Sequence, residues 1–220
     1  IIARDIMLAE LTGSRLHVCH VSTAGSVEQI RLGKARGVKV TAEVTPHNLL
    51  LTDELVRGYD PVFKVNPPLR TARDVTALRE ALIDGTIDII GTDHAPHPEE
   101  LKKCEWSAAA FGMLGLETAA SIAQLVLIDS GKSSWSRLAE VLSIAPARIS
   151  GLEHQGQPVE IGQVANLTLI NPLVSRTIVD GGASKSNNQP YVGMQLPGQV
   201  VHTIFRGTFT VRDTVLARKA

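Results

Sequence analysis

A short apolar run that ends in a carboxylate constrains this chain more than any other stretch. Ile87-Asp88-Ile89-Ile90 reads as a buried strand, and Gly91-Thr92-Asp93-His94-Ala95-Pro96-His97 follows it directly. A strand ending in Gly-Thr-Asp sets the Asp93 carboxylate at its C-terminal tip. The two histidines that follow bring three groups able to bind metal or move protons to one loop. The plainer reading, with Asp93 as a cap and the histidines as ordinary loop residues, suits an isolated Asp-His pair. Here the strand-to-loop context favours chemistry, because in α/β barrels the loops after the strands carry the catalytic groups.

The same rhythm repeats upstream. Residues 1–11 are apolar at helical spacing and Gly13 closes that helix. A chain that enters inside a helix suggests a piece of a longer polypeptide. Residues 15–21 read as a buried parallel strand, 26–35 as a helix closed by Gly37, and 38–44 as the next strand. A short helix over 49–55 and a strand-like piece over 63–65 follow. Asn66-Pro67-Pro68-Leu69-Arg70 has to be extended, since consecutive prolines exclude a helix. The spacing of Val75, Leu78, Ala81 and Leu82 predicts a helix over 72–82, which Gly85 ends. Residues 98–110 are polar without a period and read as an active-site loop. Helices are expected over 117–130, 135–142 and 146–149.

From Pro158 the character changes. Glycine-bounded β-rich runs cover 162–170 and 198–207, with 208–211 as a hairpin partner. The expected division is therefore 1–157, part of an α/β barrel, and 158–220, a small β-rich segment. Lys+Arg and Asp+Glu both number 22, so no charged field calls for nucleic acid or a membrane surface. The apolar runs are too short to cross a bilayer. Cys19 and Cys104 lie far apart and outside any CxxC pair, which points to free thiols in a reducing, cytoplasmic setting.

His20 sits at the end of its strand as Asp93 sits at the end of its own. Imidazole and carboxylate on separate strand tips can reach one divalent ion. His20 alone would equally suit a core histidine bonded to a backbone carbonyl. His17, two residues earlier, lies on the same face one layer deeper and reads as packing.

Four stretches in order sharpen this picture: His17-Val18-Cys19-His20-Val21-Ser22-Thr23, Ala42-Glu43-Val44-Thr45-Pro46-His47-Asn48-Leu49-Leu50-Leu51-Thr52, Lys64-Val65-Asn66-Pro67-Pro68-Leu69-Arg70 and the Asp93 loop. Together they resemble the dihydroorotases of the amidohydrolase superfamily, of the bacterial separate-chain type. Ser184-Lys185-Ser186 through Pro190-Tyr191-Val192-Gly193 is similar to that family's C-terminal segment. The resemblance implies a zinc-dependent (β/α)8 barrel that interconverts N-carbamoyl-L-aspartate and L-dihydroorotate in pyrimidine synthesis. It implies His20 and Asp93 as metal ligands, with Asp93 also shuttling the proton. It implies Asn66, His97 and the Phe111-Gly112 backbone as substrate contacts. A homodimer and association with aspartate transcarbamoylase are the protein partners it admits.

Several residues are set aside. His47 suits a supporting role behind the site, His94 a brace for its loop, and Arg70 a salt bridge or a carboxylate contact. His154 and His202 read as structural or exposed, and Cys104 lacks a base that would make it a nucleophile.

The departures matter as much. No His-x-His occurs in the chain, and the family's bridging carboxylate or carboxylated lysine, the histidine of its His-Cys-Glu-Asp motif, its substrate arginine and an early asparagine are absent too. All would lie upstream of Ile1, so one or two zinc ions would find only His20 and Asp93 here. The expectation is the C-terminal half of a barrel, whose open strand edges make a poor independent fold. Asn166 stands where the family usually has aspartate. Two other readings keep the same residues: a hydantoinase or dihydropyrimidinase, and a catalytically silent structural subunit.

Overall fold

The computed structural model describes residues 1–217. Two compact units emerge, Ile1–Ala119 with Ser184–Pro190, and Ala120–Ala183 with the described residues from Tyr191 onward.

The first unit is built on three parallel strands in the order β1-β2-β3: β1 (Leu16–Val18), β2 (Val40–Val44) and β3 (Ile89–Ile90). His17 lies opposite Thr41, and Val44 opposite Ile90. Helix α1 (Ile2–Thr12) precedes β1, α2 (Ala24–Ala35) joins β1 to β2, and α3 (Pro46–Leu50) and α4 (Ala72–Asp84) lie between β2 and β3. Thr23 and Thr71 each cap their helix with a side-chain oxygen that accepts from the backbone N–H three residues on, worth about 1 kcal/mol per cap. Gly13 and Gly85 end α1 and α4 in the left-handed conformation. Alternation on β2 buries Val40, Ala42 and Val44 and leaves Thr41 and Glu43 half-buried. Ile30, Leu78 and Leu82 are fully buried, and each such side chain contributes roughly 1.5–3 kcal/mol of burial. Asp88 fastens the base of β3, accepting both the Lys34 ammonium at 2.8 Å and the Ala42 amide at 2.7 Å.

Several expected elements shift. β1 stops at Val18, short of Val21, because His20 takes a left-handed conformation (φ 55°) that no strand admits. Thr45 caps the next helix and Pro46 occupies its first turn, so α3 forms over Pro46–Leu50 and a 3-10 turn over Asp53–Gly58 replaces the helix expected at 49–55. The strand-like piece over 63–65 is instead the end of a 3-10 turn, Pro61–Phe63, whose N-terminus Asp60 caps by accepting from the Val62 amide.

In the second unit, α5 (Ala119–Ala123) runs on as a π-helix over Gln124–Asp129, and α6 (Trp135–Ala139) as another over Glu140–Ile144, where continuous α-helices were expected. Helix α7 (Ala145–Ser150) follows. Strands β4 (Leu167–Thr177), β5 (Gln195–Phe205), β6 (Thr208–Arg212) and β7 (Val215–Leu216) form an antiparallel sheet in chain order. β5 and β6 meet at Arg206-Gly207, both at positive φ, the two-residue turn a right-twisted hairpin favours. Asn166 uses both ends of its amide, donating to the His154 carbonyl at 3.1 Å and accepting from the Arg206 amide at 2.8 Å. An aspartate could make only the second bond. Among the described residues no helix is long and apolar enough to cross a membrane.

Candidate active site

The sheet of the first unit delivers its polar groups to the carboxyl ends of the strands. Beyond β1, His20 turns left-handed; beyond β3, Asp93 does the same at φ 45°. Side-chain-bearing residues adopt this conformation infrequently, and such positions concentrate at functional sites. The two turns bring His20 Nε2 to 3.7 Å from Asp93 Oδ1.

Glu43, on β2 between them, is the anchor. Its Oε1 lies 2.7 Å from His20 Nδ1 and its Oε2 3.3 Å from His17 Nε2. His17 Nδ1 in turn pairs with Thr41 Oγ1 at 2.8 Å. His17 is thus a hydrogen-bonded support rather than the packing residue expected. Burial opposes the charge on Glu43, but His20 and His17 outweigh it and hold the carboxyl below its ordinary range. The contact with Glu43 raises His20, against a smaller lowering from burial. Asp93 is raised, chiefly by burial. Gly91 makes room for this arrangement: a Cβ there would sit 2.5 Å from the Glu43 carboxylate. Behind them, His47 is buried with neither ring nitrogen hydrogen-bonded, and burial followed by the charge of His20 pushes it down to about 3. Both ends of the Asn48 amide are equally unpartnered.

A second group forms on the loops. His97 Nε2 lies 2.8 Å from the Phe111 carbonyl. A carbonyl only accepts, so that nitrogen carries a proton. Asn188 ties the strands of loop together: its Nδ2 donates to the Ala95 and Gly112 carbonyls at 2.8 and 3.3 Å, and its Oδ1 accepts from the His97 amide at 3.3 Å. His94 Nδ1 accepts from the amides of Gly115 and Leu116, each at 3.3 Å, and so braces the loop as expected.

The structure therefore joins His20 to Asp93, and His97 to Phe111 and Gly112. Asn66 is exposed at the head of the cis Asn66–Pro67 peptide, and among the described residues no hydrogen bond joins its side chain to either group. Glu43, Asn188 and Lys102 were not singled out from sequence. For Glu43 the available signal was its phase on β2, shared with Thr41, the residue opposite His17.

The donors fit a divalent ion. Ligands bonded at zinc distances in a tetrahedron stand roughly 3.4 Å apart, near the His20–Asp93 separation. The Glu43 contact on Nδ1 leaves Nε2, the atom facing Asp93, as the ligating nitrogen, the usual orientation for a metal-bound histidine. His17, Cys19 and Glu43 also bring three donor atoms within 4.8 Å of one another. There, however, both ring nitrogens of His17 are engaged, and burial followed by Glu43 pushes the Cys19 thiol up, away from the thiolate a metal requires.

Comparison with known proteins gives the family. The model of the amidohydrolase family matches residues 5–210, and the chain belongs to that family. Among curated relatives, a dihydroorotase of Streptomyces coelicolor is 59% identical over 214 residues, covering 97% of this chain and 50% of that protein. A dihydroorotase of Mycobacterium tuberculosis is 49% identical over the same shares of each. Among solved structures, the L-hydantoinase (dihydropyrimidinase) of Arthrobacter aurescens superposes with a TM-score of 0.89 at 32% identity, covering 99% of this chain and 49% of that one. The dihydropyrimidinase of Brevibacillus agri gives 0.89 at 28%, covering 98% and 48%. The chain spans about half the length of the relatives it matches.

Proposed function

We propose that the protein to which this chain belongs is a dihydroorotase, reversibly cyclising N-carbamoyl-L-aspartate to L-dihydroorotate. The observation that carries the reading is the convergence of His20 and Asp93 from the tips of parallel strands β1 and β3, on either side of β2, in a chain 59% identical to a dihydroorotase. In this reading residues 1–157 are the C-terminal part of a (β/α)8 barrel and 158–220 a β-rich segment. Among the described residues β1 and β3 each pair on one side alone, which supports it, as do Leu8 and Leu11 on α1, which present apolar surface a further barrel layer would cover.

His20 and Asp93 would hold one or two zinc ions, with the remaining ligands in the half of the relatives this chain does not span. Metal held there supplies a Lewis acid for the ring amide carbonyl and water acidic enough to attack it. In the hydrolytic direction Asp93 accepts a proton from the attacking water at a carboxylate oxygen. The carbonyl C–N bond breaks, and Asp93 returns that proton to the departing nitrogen; the second water proton leaves to solvent as the product carboxylate forms. His97, Asn66 and the Phe111-Gly112 backbone orient the anionic substrate. A homodimer or an aspartate transcarbamoylase complex belongs to the same reading.

The test is turnover by the full-length protein of L-dihydroorotate against dihydrouracil and a 5-substituted hydantoin, with and without chelation. Metal-dependent preference for the ring that bears a carboxylate is expected. Preference for the neutral rings would move the protein to the hydantoinases. No turnover of any of them with metal bound would favour a silent subunit.

A further inference from the structure

The loop between His97 and Phe111 is pinned by two buried lysines. Lys64 donates to the carbonyls of Trp106 at 2.6 Å and Ser107 at 3.1 Å, and its ammonium lies 4.8 Å from the Phe111 ring centroid. Lys102 is 7% exposed and donates to the carbonyls of Gly112 at 2.8 Å, Ala110 at 3.0 Å and Lys64 at 3.4 Å. Three donors meet three carbonyls, so the ammonium is satisfied. Among the described residues no carboxylate pairs with it. A buried cation without a counter-ion is costly, and here it fastens the turn from which His97 hangs: Gly112 N donates to the Lys64 carbonyl at 2.9 Å, and Phe111 O holds His97.

We propose that Lys102 is a positioning residue that fixes the Ala110–Gly112 turn and, through the Phe111 carbonyl, holds His97 in the orientation that receives the substrate carboxylate. The loop over 98–110 is then a fastened wall of the site. This rests on the assignment of His97 to the substrate. The charged and titratable groups that act on Lys102 are Lys64, Asp60 and Cys104. Burial, and then Lys64, push Lys102 down to about 8.

The experiment uses full-length wild type and Lys102→Met, comparing KM and kcat for L-dihydroorotate and hydrogen exchange of peptides over 98–112 at pH 7, corrected for intrinsic rates. Wild-type peptides there should be protected. Lys102→Met should exchange faster and raise KM about tenfold to a hundredfold with kcat within about threefold. Parent KM and parent exchange in a folded variant would overturn the proposal, as would wild-type exchange at the intrinsic rate, a result that needs no variant to fold. If wild type fails to turn over dihydroorotate, the functional reading falls separately, and exchange alone decides whether Lys102 fastens the turn.

Discussion

The two halves of the candidate site are held in different ways. His20, Glu43 and Asp93 stand on or just beyond strands whose backbone ladder sets their positions, and their side chains contact one another. His97, Phe111 and Gly112 lie on loops, and what fixes them is main-chain carbonyls captured by Lys102, Lys64 and Asn188. The strand-borne half has charge to tune; the loop-borne half has shape to keep. Substitutions in the first should act on the chemical step and on metal affinity, and substitutions in the second on substrate affinity.

The largest effect is expected at Asp93. Asp93→Asn swaps a base for a near-isosteric amide and should lower kcat by at least about a thousandfold with the fold intact. Turnover within a few-fold of wild type would remove Asp93 from the mechanism.

His47 comes next, through pH. Its folded value of about 3 lies below the ordinary 6.5. The unfolded chain therefore binds more protons between the two, and the stability this group permits is complete above about 6.5 and falls as pH drops towards 3. Between pH 7 and pH 4 the loss is roughly 3 kcal/mol. His47→Leu should remove that acid-side slope from denaturant melts. An unchanged slope would mean that His47 finds a partner on protonation.

Glu43→Gln keeps the shape but removes the charge that orients His20, and loss of such a supporting carboxylate typically costs 10–100-fold in metal affinity. Titration of the metal-free protein with zinc would show it. Equal affinity in both proteins would leave Glu43 with only a packing role.

The same contrast governs what was legible beforehand. The parallel strands, the glycine-ended helices and the Asp93 loop follow from local pattern, because apolar spacing and caps are properties of neighbouring residues. Resemblance added the roles of His20, Asn66 and His97, and the structure joins the first to Asp93 and the last to Phe111 while leaving Asn66 exposed. Glu43 was half-visible: alternation on β2 puts it in phase with Thr41, but its two histidine partners lie more than twenty residues away. Lys64, Lys102 and Asn188 were invisible, since a lysine in a polar loop looks solvated until the fold supplies carbonyls for it. The expected strand at 63–65 failed for the same reason, its apolar residues flanking a lysine that the fold turns inward.

Gly112 offers the smallest effect and the cleanest discrimination. It sits at φ 129°, and a Cβ there would lie 2.6 Å from the Ala95 Cβ and 3.0 Å from His97 Nε2. Gly112→Ala must therefore push either the Ala95 segment or the His97 ring, while the His20–Glu43–Asp93 group sits on separate strand ends. A KM for dihydroorotate raised roughly tenfold, with kcat and zinc affinity near wild type, is the expected outcome. If kcat falls in step with the KM change, the loops and the strand tips move as one body. The division between a charged half and a shaped half would then dissolve.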